Sequence, residues 1–285
     1  MVAHLRAGVV GVGHLGRHHA RLLAAHPDVT LVGVVDTDTA RAAEIAAQYG
    51  ARVFPDPTAL AAAVDLACIA TPTTVHEETA LPLIEAGKAV LVEKPLAHTV
   101  AAARRLVEAA RRHGVPLMVG HTERFHPAVA ALAERITDPL FLEIHRLAPF
   151  APRSLDVDVV LDLMIHDLDL CRVLIGPREV LFLDASGTSA LTDKVDIASA
   201  RIRFKGGAAA NVTASRISHE KVRRIRVFEP GAFLACDTGT GTLSSYRVVR
   251  EPGKPPEVRG ETVGLPPEEP LGREIGAFVT AVKAG

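Results

Sequence analysis

The sequence predicts two domains. The amino-terminal one is α/β with a doubly wound parallel sheet, and the carboxy-terminal one is α+β with an open, mostly antiparallel sheet. Three observations carry this reading. The first 120 residues alternate short continuous apolar runs with helical patterns, the signature of a parallel sheet buried on both faces. The glycine stretch GVGHLG, residues 11–16, follows the first apolar run and opens the first helix. After residue 121 the alternation stops, and strand-like runs succeed one another without dozen-residue crossovers, which favours antiparallel pairing. A chain of 285 residues is long for one small domain. The expected boundaries are 1–120 and 121–285.

In the first half, residues 8–12 read as a strand and 13–25 as a helix. The run VTLVGVV, 29–35, is a second strand, and the alanine-rich 39–48 a second helix. Short strands are expected at 51–54 and 66–70. A helix over 74–86 stops at Gly87. A strand at 89–92, a helix at 99–113 and a strand at 117–119 complete the half. In the second half, 127–136 reads as helix and 140–147 as strand. A helix over 159–175 is closed by Gly176-Pro177. Strand-like runs follow at 179–183, 197–204, 209–215, 224–228, 232–236 and 242–249. Residues 251–270, rich in Pro, Gly and Glu, read as a loop, and 272–284 as a last helix.

Hydrophobic residues make up 48%, enough for buried cores and too many for a disordered chain. The net charge of -1 leaves no large basic field for nucleic acid or an anionic membrane. Cys68, Cys171 and Cys236 show no CxxC spacing, which fits a reduced compartment. The sequence enters its first strand-like run almost at once, and no apolar run reaches spanning length. A cytoplasmic protein is expected.

Gly11, Gly13 and Gly16 keep the G-x-G-x-x-G spacing of a dinucleotide site, with His14 and Leu15 filling the turn. The glycines allow a tight turn, close approach of a pyrophosphate and close helix–strand packing. Asp36 ends the second strand, where a carboxylate grips ribose hydroxyls. It would repel a 2′-phosphate, so NAD is expected over NADP, although Arg41 stands close by. A glycine turn beside a surface aspartate is the bland alternative.

Glu93-Lys94-Pro95 ends a strand of the first sheet, where ligands of such sheets bind. An ammonium at Lys94 can polarise a substrate oxygen, or it can simply be solvated. Thr71 and Pro72 end another strand and can border the cofactor. His76 fits a place at the site or in helix packing. VLDLMIHDLDL, residues 159–169, sets Asp162, His166 and Asp169 on one helical stripe. Such a stripe can solvate a surface, bind metal or run acid/base chemistry. No H-x-H or H-E-x-x-H pattern accompanies it, so no metal is expected. A neutral His can take an alcohol proton near pH 7, with an Asp to orient it.

GVGHLGRHHA, ATPTTVH, VEKPLA and DLMIHDLDL, in this order, resemble the glucose–fructose oxidoreductase, inositol dehydrogenase and MocA (Gfo/Idh/MocA) family. The resemblance implies an amino-terminal Rossmann domain, a carboxy-terminal α+β domain with a large open sheet, and NAD or NADP oxidation of sugar or cyclitol hydroxyls. It matches the family's EKP lysine to Lys94 and its D-x-x-x-H pair to Asp162 and His166. It also implies homodimers or homotetramers formed through the carboxy-terminal sheet. GHTERFHPAV, EIHRLAPF, LTDKVDIASARI and NVTASRIS further resemble a bacterial subgroup of UDP-N-acetylglucosamine 3-dehydrogenases, which supply a 3-keto sugar nucleotide for lipid A synthesis. His126 departs from that subgroup's Asn, and the chain stops soon after its last helix where many relatives continue.

A nucleotide sugar would need cations for its diphosphate. Arg124 (beside Phe125), Arg146, Arg153, Arg216 and Arg224 are the candidates, with a solvated strand edge as the alternative for Arg224. In a strand, Arg224 and Arg226 share one face and Arg223 takes the other. The expected reaction passes hydride from a sugar carbinol to NAD between the two domains. His166 is the base, Asp162 orients it, and Lys94 polarises the oxygen. A dehydrogenase of inositol or a free sugar and a non-catalytic NAD(H) sensor are the rival readings.

Overall fold

The computed structural model describes residues 4–151 and 157–285. These fall into two compact units, Met1–Thr122 with Leu271–Gly285, and Glu123–Pro270. In the first unit, β1 (Leu5–Val10), β2 (Val29–Val35), β3 (Arg52–Val53), β4 (Leu66–Ile69), β5 (Ala89–Glu93) and β6 (Leu117–Gly120) form a parallel sheet in the order β3-β2-β1-β4-β5-β6. The connecting helices are α1 (Gly16–Ala25), α2 (Thr39–Tyr49), α3 (Pro57–Ala61), α4 (His76–Glu85) and α5 (Val100–His113). Every residue of β4 and β5 is buried, which is why their sequences run apolar without alternation. Asp38 and Thr99 accept from the N–H groups of Arg41 and Ala102, starting α2 and α5. Gly50 and Gly114, with φ of 68° and 63°, end the same two helices. The strand order reverses between β1 and β4, the place where doubly wound sheets open a crevice at the strands' carboxyl ends.

The second unit is built on β7 (Phe141–Leu147), β8 (Val180–Thr188), β9 (Ile197–Phe204), β10 (Ala209–Ser215), β11 (Val222–Glu229), β12 (Ala232–Asp237), β13 (Thr242–Val249) and β14 (Glu257–Gly264). Their order is β14-β13-β12-β11-β7-β10-β9-β8, and β7 with β10 is the one parallel pair described. Helices α6 (Pro127–Arg135) and α7 (Ile165–Ile175) share one apolar core with the sheet. Leu142, Ile144, Val212, Ile225 and Val227 point into that core, and the alternate residues form the opposite face. β14 replaces part of the loop expected at 251–270. Its residues are almost all exposed, so no apolar alternation marks it, and pairing with β13 defines it.

The carboxy-terminal helix α8 (Pro270–Ala284) corrects the expected domain division. Its stripe Leu271, Ile275, Phe278 and Val279 is buried with Ala7, Val9 and Leu31 in the core of the first unit, and Lys283 pairs with Asp28 at 2.6 Å. The last 15 residues therefore complete the parallel-sheet unit.

Candidate active site

At the carboxyl edge of the parallel sheet, the three glycines of the first turn meet different surroundings. Gly11 has φ 82°, and a Cβ there would lie 2.8 Å from the Ala70 carbonyl oxygen. A Cβ on Gly16 would fall 1.7 Å from the Gly11 carbonyl oxygen, so α1 and β1 approach as closely as glycine allows. A Cβ on Gly13 would meet only the Arg41 guanidinium, at 3.5 Å. Its backbone is open to an approaching group. No side chain among the described residues caps α1, and its first turn holds no acid. Its leading N–H groups suit an anion. Beside the turn lies a cavity of about 490 Å³ lined by Gly13, His14, Arg17, His18 and Arg41 among others. Leu15 sits at the turn, 39% exposed.

Asp36 ends β2. Its Oδ2 accepts from the Val12 N–H and its Oδ1 from the Asp38 N–H, both at 2.8 Å. Each oxygen keeps a lone pair for a ribose hydroxyl. Arg41 donates to Asp38 at 2.7 Å, and the carboxylates of Asp38 and Asp36 hold its guanidinium raised above its ordinary value. The residues at this edge thus fit a dinucleotide: an open glycine backbone, a bare helix start and a carboxylate at the ribose position.

Lys94 lies two residues beyond Val92, and Thr71 two residues beyond Ile69. Val92 and Ile69 are paired across β5 and β4, so Lys94 and Thr71 share the same edge. Both are half-buried. Glu93 and His76, which the sequence sets beside the cofactor edge as candidate contacts, turn inward. His76 is 1% exposed and its ring reaches the carbonyl oxygens of Thr71 and Pro95, each at 2.9 Å. Glu93 is 6% exposed and takes a hydrogen bond from His19. Both stand behind the edge and support it.

In the second unit, Asp158 opens the stretch that carries Asp162 and His166 by accepting from the Leu161 N–H at 2.9 Å. Val160–Met164 then forms one π-helical turn before α7 begins at Ile165. The wider turn brings residues four apart closer to eclipse than an α-helix does, and such turns recur at functional sites. Asp162 lies in it, and His166 follows in the first turn of α7. Both are half-buried. Asp167 and Asp169 face the protein. Asp169 pairs with Arg124, and fully buried Asp167 pairs with Arg146 at 2.8 Å. Arg146 also holds Glu123 at 3.1 Å. Burial pushes the Asp167 carboxyl up despite Arg146. Burial opposes the charge of Glu123 too, but Arg146 and Arg223 keep its carboxyl low.

The arginines proposed for a diphosphate separate on these grounds. Arg146 and Arg216 are each 5% exposed. Arg216 donates to Asp196 and to the Val157 carbonyl, each at 2.9 Å. Their charges serve the interior. Arg224 neighbours inward-facing Ile225, so strand alternation sets it on the sheet face away from α7, 3.8 Å from Asp237. Arg124, paired with Asp169, keeps a side chain 44% exposed on the α7 side, next to half-buried Phe125. Arg153 lies outside the described residues. His126 starts α6, its Nδ1 accepting from the Ala128 N–H at 3.1 Å. An Asn would serve equally well there.

Two family models match the sequence. One, described as an oxidoreductase family with an NAD-binding Rossmann fold, covers residues 5–121, and the Gfo/Idh/MocA carboxy-terminal domain covers residues 136–230. The chain belongs to the Gfo/Idh/MocA oxidoreductase family. Among its relatives, the UDP-N-acetylglucosamine 3-dehydrogenase of Acidithiobacillus ferrooxidans is 43% identical over 284 residues, 99% of this chain and 90% of that one. A crystal form of that enzyme superposes with a TM-score of 0.91 at 41% identity, covering 99% and 89% of the two chains. Inositol 2-dehydrogenase 2 of Saccharopolyspora erythraea is 34% identical, covering 91% and 71%. In the family's terms, the parallel-sheet unit is the Rossmann domain. No helix among the described residues is long and apolar enough to cross a membrane.

Proposed function

We propose that the protein is an NAD-dependent dehydrogenase that oxidises the 3-hydroxyl of UDP-N-acetylglucosamine to the 3-keto sugar nucleotide. The observation that carries this reading is the 43% identity to a UDP-N-acetylglucosamine 3-dehydrogenase along nearly the full length of both chains. NAD, when bound, supplies the hydride acceptor. The Gly13 backbone and the start of α1 receive its pyrophosphate, and Asp36 its ribose. His166 takes the proton of the reacting hydroxyl. Asp162, one turn earlier, orients the imidazole and stabilises its charged form. Lys94 donates a hydrogen bond to the oxygen as it becomes a carbonyl. Arg124, exposed although it pairs with Asp169, is the cation we assign to the diphosphate. The sheet face opposite α7 carries Phe141, Phe228, Phe233 and Tyr246 in ring contact, with centroids 5.0–5.9 Å apart, and we assign it to pairing between copies of the chain.

The test is NADH formation with UDP-N-acetylglucosamine beside myo-inositol and free glucose, with an aminotransferase or ketone trap to draw off the product. NADH with the nucleotide sugar alone is the expected result. Turnover of a free polyol instead would transfer the assignment to the inositol dehydrogenases. His166→Ala should lower kcat by about 10²- to 10⁴-fold and leave NADH affinity as in the wild type.

A further inference from the structure

Lys94 stands in a three-residue stretch whose two neighbours are each held by a buried histidine. On one side, His19 of α1 donates through Nε2 to Glu93 Oε1 at 2.7 Å, with the two side chains 0% and 7% exposed. The other carboxylate oxygen of Glu93 faces the Lys94 N–H at 3.3 Å. A Cβ on Gly120 of β6 would lie 2.9 Å from that same oxygen, so the carboxylate is wedged with no room to swing. On the other side, the ring nitrogens of His76 lie 2.9 Å from the Pro95 and Thr71 carbonyl oxygens; a carbonyl only accepts, so a neutral ring donates to one of them and packs against the other. His76 thereby ties the strand end that carries Lys94 to the strand end that carries Thr71. A side chain buried in a close-packed interior sits in a rotamer minimum with little free space around it. The backbone on either side of Lys94 therefore cannot shift without breaking a buried hydrogen bond and leaving polar groups without partners.

We propose that His19 and His76 are positioning residues for Lys94, clamping residues 93–95 so that the ammonium is fixed relative to the glycine turn. His19 leaves α1 one turn after Gly16. A single contact thus sets both the helix that receives the pyrophosphate and the strand end that presents the ammonium. The clamp rests on the reading of Lys94 as the group that polarises the substrate oxygen. Neither histidine touches substrate or cofactor in this scheme. Displacing a reacting group by about 1 Å costs on the order of 100-fold in rate, so the loss should fall on kcat.

The test compares His19→Leu, His19→Gln, His76→Phe, Lys94→Ala and the double variant His19→Leu/Lys94→Ala. His19→Gln keeps a donor near the place of Nε2. Four readouts are taken: NADH affinity by fluorescence, kcat and KM with NAD and UDP-N-acetylglucosamine, thermal unfolding, and amide hydrogen exchange in the peptide 91–97. His19→Leu and His76→Phe should each speed exchange in that peptide and lower kcat about 10- to 100-fold, with KM and NADH affinity changed less than about threefold. His19→Gln should restore most of both. Added to Lys94→Ala, the His19→Leu change should cause little further loss, because a positioning residue has nothing left to position. Unchanged exchange and turnover in folded His19→Leu would overturn the clamp. So would a His19→Gln variant as impaired as His19→Leu, or losses that multiply in the double variant. Full activity in Lys94→Ala alone would instead overturn the reading of Lys94, while the exchange data still report on the clamp. If His76→Phe does not fold, the His19 series decides.

Discussion

The carboxylate of Asp36 is bonded to the Val12 amide at 2.8 Å, so the end of β2 and the glycine turn are one fixed unit. The same oxygens stand where a ribose would bind. Asp36→Ala should therefore lose a charged acceptor and loosen the turn together. NADH affinity should fall about 10- to 100-fold, the equivalent of a charge-assisted hydrogen bond. Fluorescence titration with NADH and NADPH checks this. A variant that binds NADH as tightly as the wild type would remove Asp36 from the site.

Gly13 and Gly16 look alike in the sequence and should behave differently. Gly16→Ala would drive a methyl to 1.7 Å from a backbone carbonyl. It should destabilise the first unit by about 3 kcal/mol or more, the scale of severe overpacking, and abolish NADH binding. Gly13→Ala meets only the end of the Arg41 side chain. It should fold with an unchanged melting temperature and bind NADH more weakly, because the methyl occupies the space a phosphate would approach.

Much of this was legible in the sequence, and the boundary follows the physics. The first sheet was readable because its strands are buried on both faces and its helices carry caps and glycine stops. The alternation of Arg223, Arg224 and Arg226 was readable because a strand has period two. The cationic roles of Arg146 and Arg216 were misread, since nothing local marks Asp167, Glu123 or Asp196 as their partners 20 or so residues away. His76 and Glu93 sit beside ligand-facing residues in the chain but turn inward, which only the packing reveals. His19 carried no signal of its own beyond its place three residues after Gly16.

Arg146 is the cation shared by buried Asp167 and Glu123. Arg146→Met should cost about 3–5 kcal/mol, because it strands two carboxylates in the interior. Asp167→Asn should cost less, since burial already disfavours the charged form of that group. Urea or thermal denaturation of the two variants tests the order. Equal losses would contradict the shared-cation account.

His126 offers a pH signature. Burial lowers its imidazole below the ordinary value, with Glu123 opposing, and its Nδ1 must be bare to accept from Ala128. The folded state favours the neutral ring, so this contribution is present above the unfolded value near 6.5 and is lost as pH falls through the lower folded value. His126→Asn keeps a cap acceptor, worth about 1 kcal/mol, and should flatten the stability profile below about pH 6.5. Parallel melting curves of wild type and variant measure this. Superimposable profiles would show that the ring does not titrate in that window.

Pairing through the open sheet makes a further prediction. Phe228→Glu with Phe233→Glu places two charges in the aromatic row, which lies away from the core that holds Ile225 and Leu234. Light scattering should show the wild type above protomer mass and the double variant at it. Identical masses would assign the row to some other use.

Helix α8 returns the chain to the unit in which it began. Its buried stripe belongs to the same core as β1, although the whole second unit separates the two in the sequence. The whole second unit is therefore an insertion within the first, whose core is closed by a segment on the far side of that insertion. Neither half of the parallel-sheet core is sealed without the other, so loss of the α8 stripe would open the face of the core that holds Ala7, Val9 and Leu31.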